Sequence, residues 1–238
     1  MQLTREHWEK ADGEEFSRYL LTLSKGEEKG AWERRIVNTA LPAIAVPSAE
    51  VDRIVREIRK GNVREFLSLE LWENHTEVMI RGKLIGKFKD FDEFKSYALP
   101  YARRADTWAA TDCIKFALTK ENKPKFFEFA LECLQDKAHT FVRRLGVIIL
   151  LKMSATPGYT DGILRAADSL ESEQEYYVNM ANAWLIAECF THFRDKTLAY
   201  LMGAPRLNKF TMNKAISKCR DSYRVSAEDK ELLKTLRK

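Results

Sequence analysis

Trp108 and Asp112 stand four residues apart in the segment ADTWAATDCIKFAL. On a helix that spacing puts an aromatic face and a carboxylate on the same side, one turn from each other. Three later segments carry comparable groups: Arg143 with Arg144, Asn179 with Trp184, and Asn213 with Lys214. Aromatic faces attract cations and pack on sugars. A carboxylate stabilises positive charge, and Arg and Lys neutralise phosphates. Together they have the composition of a groove for a polyanion, with a local site for a cationic or electron-poor group. Each also has a plainer reading alone. A tryptophan in an amphipathic helix is usually core, a lone aspartate is a surface charge or cap, and an arginine pair is a solvated face. What favours a shared site is their recurrence at matching positions.

That recurrence belongs to the elements carrying them. Trp108, Val142, Val178 and Met212 each lie early in the second helix of a predicted pair, at separations of 34, 36 and 34 residues. A helix pair repeating every ~35 residues is the pattern of an α-solenoid, in which each unit buries its apolar face only against its neighbours. The repeat is degenerate, hence HEAT-like, and stacked second helices would line one concave face. The expectation is an all-α chain forming a single HEAT-like repeat domain over 1–238. Its predicted helices include an amphipathic run over Ala49–Leu67, with Ser48 as cap and a turn or break at Gly61-Asn62. Asp90–Tyr101 and Asp106–Leu118 read as two helices separated near Pro100. Pro124–Leu134 pairs with Thr140–Met153, Thr160–Leu170 with Gln174–Phe193, and Lys196–Leu201 with Lys209–Ser217.

Composition narrows the classes. Ten glycines and six prolines in 238 residues leave little room for the tight turns of an all-β fold. A net charge of +5 permits a nucleic-acid partner without requiring one. The four cysteines form no CxxC pair, and His7, His75, His139 and His192 form no HExxH, so neither a zinc site nor a zinc protease is indicated. The cysteines read as small buried hydrophobes of a reducing compartment. GxxxxGKS/T, GxGxxG and a nucleophile elbow are absent. The N-terminus is too charged for a signal peptide, and no apolar run approaches a membrane span. A cytoplasmic protein is expected.

ADTWAATDCIKFAL is similar to the W-x-x-x-D segment of the AlkD-type DNA glycosylases, the DNA alkylation repair family of HEAT-like repeats. HTFVRRLGVIILLKM resembles that family's arginine-bearing helix, and EYYVNMANAWLIAECF its second tryptophan helix. VPSAEVDRIVREI resembles its early Pro-capped helix, and FTMNKAISKCRDSYRVSAEDKELLKTL its C-terminal segment. The resemblance implies a right-handed curved solenoid that holds double-stranded DNA and excises cationic bases such as 7-methylguanine and 3-methyladenine, as a monomer without metal or cofactor. It implies that Trp108 and Trp184 bracket the damaged nucleotide's deoxyribose and that Asp112 stabilises positive charge on that sugar and helps place the attacking water. Arg144 would hold the DNA backbone, with Arg143, Asn179 and Lys214 as further DNA-binding groups on the same face.

Two features depart from the pattern. Ala187 stands three residues after Trp184, where an active member carries an arginine, and the region of Trp32, Arg34 and Arg35 matches only loosely. Two alternatives follow: a HEAT-like protein that binds DNA structures without excising bases, and a HEAT-like scaffold for a protein partner.

Overall fold

The predicted helical periodicity carries through to the computed structural model, which describes residues 1–238 and contains fourteen α-helices and no strand. The chain divides into two compact units, Met1–Ala117 and Leu118–Lys238.

The first unit holds α1 (Lys10–Thr22), α2 (Glu27–Val37), α3 (Ser48–Ile58), α4 (Val63–Ser68), α5 (His75–Ile85), α6 (Phe91–Arg104) and α7 (Trp108–Asp112). Helix α5 is its hub, packing on α3, α6 and α7. The long run expected from Ala49 splits at Gly61-Asn62, where Asn62 turns its side chain to accept from the Glu65 amide and starts α4. Pro47, not Ser48, occupies the cap of α3. Pro100 does not end α6, which continues to Arg104. The proline is exposed, so water can satisfy the carbonyl that its missing N–H leaves behind.

The helix expected over Asp106–Leu118 shrinks to the five residues of α7. Beyond it burial alternates: Ile114 and Phe116 are buried, Lys115 and Ala117 exposed. That period of two is the pattern of an extended chain, and here it outweighs the helical reading. The extended segment runs directly over Gly86, where an added Cβ would lie 2.6 Å from the Lys115 nitrogen.

The second unit follows the expected pairs closely: α8 (Lys123–Leu134), α9 (Thr140–Met153), α10 (Thr160–Asp168), α11 (Tyr176–His192), α12 (Arg194–Met202), α13 (Lys209–Asp221) and α14 (Ala227–Thr235). The second helices pack in series, α9 on α11 and α11 on α13, while α10 and α12 touch each other and α11. Val142, Val178 and Met212 are all buried, so the repeat read from them is a repeat of core positions. Helices α9 and α11 are apolar almost all round, as befits helices enclosed by neighbours. No helix is long and apolar enough to cross a membrane.

Candidate active site

In the first unit, α7 is short and needs anchors at both ends. Thr107, wholly buried, caps it by accepting from the Ala109 amide while donating to the Val37 carbonyl at the end of α2. The neighbouring Asp106 carboxylate accepts from the Thr39 hydroxyl at 2.6 Å and the Ala40 amide at 2.7 Å, tying the loop after α2 to the same point. From α6, the buried Tyr101 hydroxyl reaches the carbonyls of Val78 (3.0 Å) and Ala110 (3.2 Å), which locks α7 onto α5. A five-residue helix has almost no stability of its own. These side-chain bonds set where its first and last residues, Trp108 and Asp112, point.

Both line one cleft of about 340 Å³. Val37, Val46, Val51 and Met79 make much of its wall apolar, and Glu33, His75 and Lys83 add polar groups. The Asp112 carboxylate accepts from the Thr111 hydroxyl at 3.2 Å. Glu33 accepts from the Ala45 amide at 2.9 Å, clamping a residue held at φ 51°. Burial pushes the Glu33 carboxyl upward, and that N–H only partly offsets it. Burial likewise pushes the His75 imidazole down, so this ring stays neutral, with its Nδ1 lacking a hydrogen-bond partner. Cys113, beside Asp112, is pushed up to about 12 by burial and is no nucleophile at neutral pH. Lys83 is neutralised by Asp52 at 2.6 Å. The cleft thus combines an aromatic ring, two carboxyl groups and apolar walls, which suits an organic cation better than an anion.

The second unit treats its predicted site residues differently. Trp184 on α11 is 39% exposed on a helix otherwise mostly buried, so its ring is available. Lys214 on α13 is exposed, with its Nζ 5.9 Å from the centre of the Phe210 ring. Arg143 is not a solvated cation. It pairs with Glu173 at 2.6 Å, both side chains nearly buried, and donates to the Asp136 carbonyl. Arg144 is buried and donates to the Tyr177 carbonyl in the first turn of α11. Asn179 is also buried: it donates to the Glu173 carbonyl and accepts from Asn208 and Thr211, both at 2.9 Å. These three brace α9, α11 and α13 against one another.

A family model described as "DNA alkylation repair enzyme" matches residues 14–219, a span from within α1 to the last turn of α13. The chain belongs to the DNA alkylation repair family. No curated protein and no solved structure matches it. For a DNA alkylation repair enzyme, the placement of Ala187 matters. It is buried in the cluster of Leu201, Met212 and Ile216, so an arginine substituted here would enter the core of this chain. Sequence reasoning missed Glu33, His75 and Lys83 as cleft residues. They come from α2 and α5, and the only signal for α2 was the loosely matched stretch around Trp32, which is itself 56% exposed.

Proposed function

We propose that the protein is a DNA N-glycosylase that excises cationic alkylated purines, 7-methylguanine and 3-methyladenine among them, from duplex DNA. The observation that carries this reading is the shared cleft of Trp108 and Asp112 on the rigidly anchored α7. A cationic purine is already a good leaving group. The glycosidic C1′–N9 bond breaks with its electron pair passing to the purine, which departs neutral. The sugar left behind is oxocarbenium-like, and its positive charge is what the enzyme must stabilise. The Asp112 carboxylate opposes that charge, and the Trp108 ring offers its negative face. Water adds to C1′ and gives up its proton, leaving an abasic site and the free base.

In the second unit, exposed Trp184 offers an aromatic face and Lys214 an exposed cation, the groups that the family resemblance assigns to DNA contact. Arg144, Arg143 and Asn179 then serve as positioning residues. They fix α11 through the Tyr177 carbonyl, Glu173 and Asn208 rather than by touching DNA.

The test is release of free 7-methylguanine from methylated duplex by wild type and Asp112→Asn together. The expected loss in the variant is about 10²–10³-fold, the scale for removing one preorganised electrostatic group. Wild-type protein that binds DNA but liberates no base would overturn the reading and leave a non-excising DNA binder. Equal release by both proteins would remove Asp112 from the mechanism.

A further inference from the structure

Next to the Trp108–Asp112 cleft, and sharing Lys83 and Cys113 with it, lies a second concavity of about 350 Å³. Arg56, Arg59, Lys83, Lys87 and Lys115 line it against a single carboxylate, Asp52. Three elements supply the cations. Arg56 and Arg59 lie at the end of α3, and Lys83 and Lys87 on and just beyond α5. Lys115 sits on the extended segment that Gly86 allows to pass so closely. Lys83 is half-buried and bound to Asp52. Arg56, Arg59, Lys87 and Lys115 are exposed, and none forms an ion pair. The Lys83 ammonium, with Lys115 and Arg56 behind it, holds the Asp52 carboxyl below the usual aspartate range even though burial works the other way. Five positive charges against one negative is an uncompensated field, and mutual repulsion makes such a cluster costly unless an anion meets it.

We propose that this concavity seats backbone phosphates of the DNA strand running past the Trp108–Asp112 cleft. The phosphate-binding role expected of Arg143 and Arg144 thereby moves to the first unit. An enclosed site for one small anion would converge on a single point and offer buried donors. Here four of the five cations are exposed and they are spread over three elements, which matches successive phosphates along a strand. The proposal rests on DNA being the partner but does not require excision.

Its test therefore uses undamaged duplex DNA, with binding measured between about 50 and 200 mM salt. The variant Arg56→Gln/Arg59→Gln/Lys87→Gln/Lys115→Gln should bind more weakly whatever the DNA sequence. The slope of log affinity against log salt should fall by about one for each phosphate no longer neutralised. Replacing Lys10 and Arg18, exposed cations of α1, with glutamine gives the control for general charge removal and should leave that slope nearly intact. Thermal melting checks folding, and removing mutually repelling charges should not lower the melting temperature. An unchanged affinity and slope in the folded four-site variant would overturn the proposal, as would a weakening per charge no larger than the control's. Inorganic phosphate titrated at constant ionic strength should compete no better than sulfate. Selective competition by phosphate would instead assign the concavity to a small phosphorylated ligand and overturn it too. Failure of base release would leave these binding results standing, so the two readings fail separately.

Discussion

The two units put the same kinds of residue to opposite uses. In the first, a carboxylate and a tryptophan on α7 face a cleft, and the side chains holding them there, Thr107, Asp106 and Tyr101, are neighbours with no charge to offer a ligand or with their charge already satisfied. In the second, the residues that look most like ligand-binding groups are themselves the braces. Arg143 is bound to Glu173, Arg144 to the Tyr177 carbonyl and Asn179 to Asn208 and Thr211. The difference teaches that a basic or amide side chain is a binding group only if nothing within the fold has claimed its hydrogen bonds. Buried charges are claimed because leaving them unpaired costs several kcal/mol.

Substitutions can break this contrast. Asp112→Asn should have the largest effect, about 10²–10³-fold on base release with melting temperature nearly unchanged, since α7 is held by other side chains. Arg143→Ala should show the reverse profile. It strands the Glu173 carboxylate, whose side chain is only 7% exposed, and should destabilise the fold by about 3 kcal/mol in denaturant unfolding. If Arg143→Ala instead left stability intact while reducing DNA affinity and its salt slope, the residue would belong to the groove and the contrast would fail. Trp184→Ala should fall between these effects, cutting base release about tenfold through the missing cation–aromatic stabilisation while costing little stability, because the ring is already 39% exposed.

The smallest expected effect sharpens the same point through pH. Burial opposes ionisation of Glu173, but Arg143 and the amides of Gln174 and Glu175 outweigh it and hold this carboxyl below the ordinary glutamate value of 4.5. A depressed folded-state value contributes stability that is complete above 4.5 and is lost as pH falls through the depressed value. Unfolding followed from neutral to acid pH should show this loss in wild type and a shallower acid-side slope in Glu173→Gln. Parallel curves would mean that the ion pair contributes nothing specific.

Much of the second unit was legible in the sequence because its main helices are long and closed by brief polar links. The predicted and observed bounds of Thr140–Met153 coincide. The first unit was harder to read. Its α4 and α7 are only six and five residues long, and the segment after Asp112 swaps a helical period for an extended one where it crosses Gly86. The sequence by itself determined the all-helical class, the ~35-residue spacing of helix pairs, and the Trp108–Asp112 pair, because helix periodicity and four-residue spacing are local properties of the chain. Only the tertiary structure decided which polar side chains were left over for a ligand. Glu33 and His75 join Trp108 and Asp112 from distant helices, Arg143 and Arg144 are consumed by partners far along the chain, and Arg56, Arg59, Lys87 and Lys115 are left unpaired beside the cleft. Which charges are paired depends on which elements approach one another, and no local pattern encodes that.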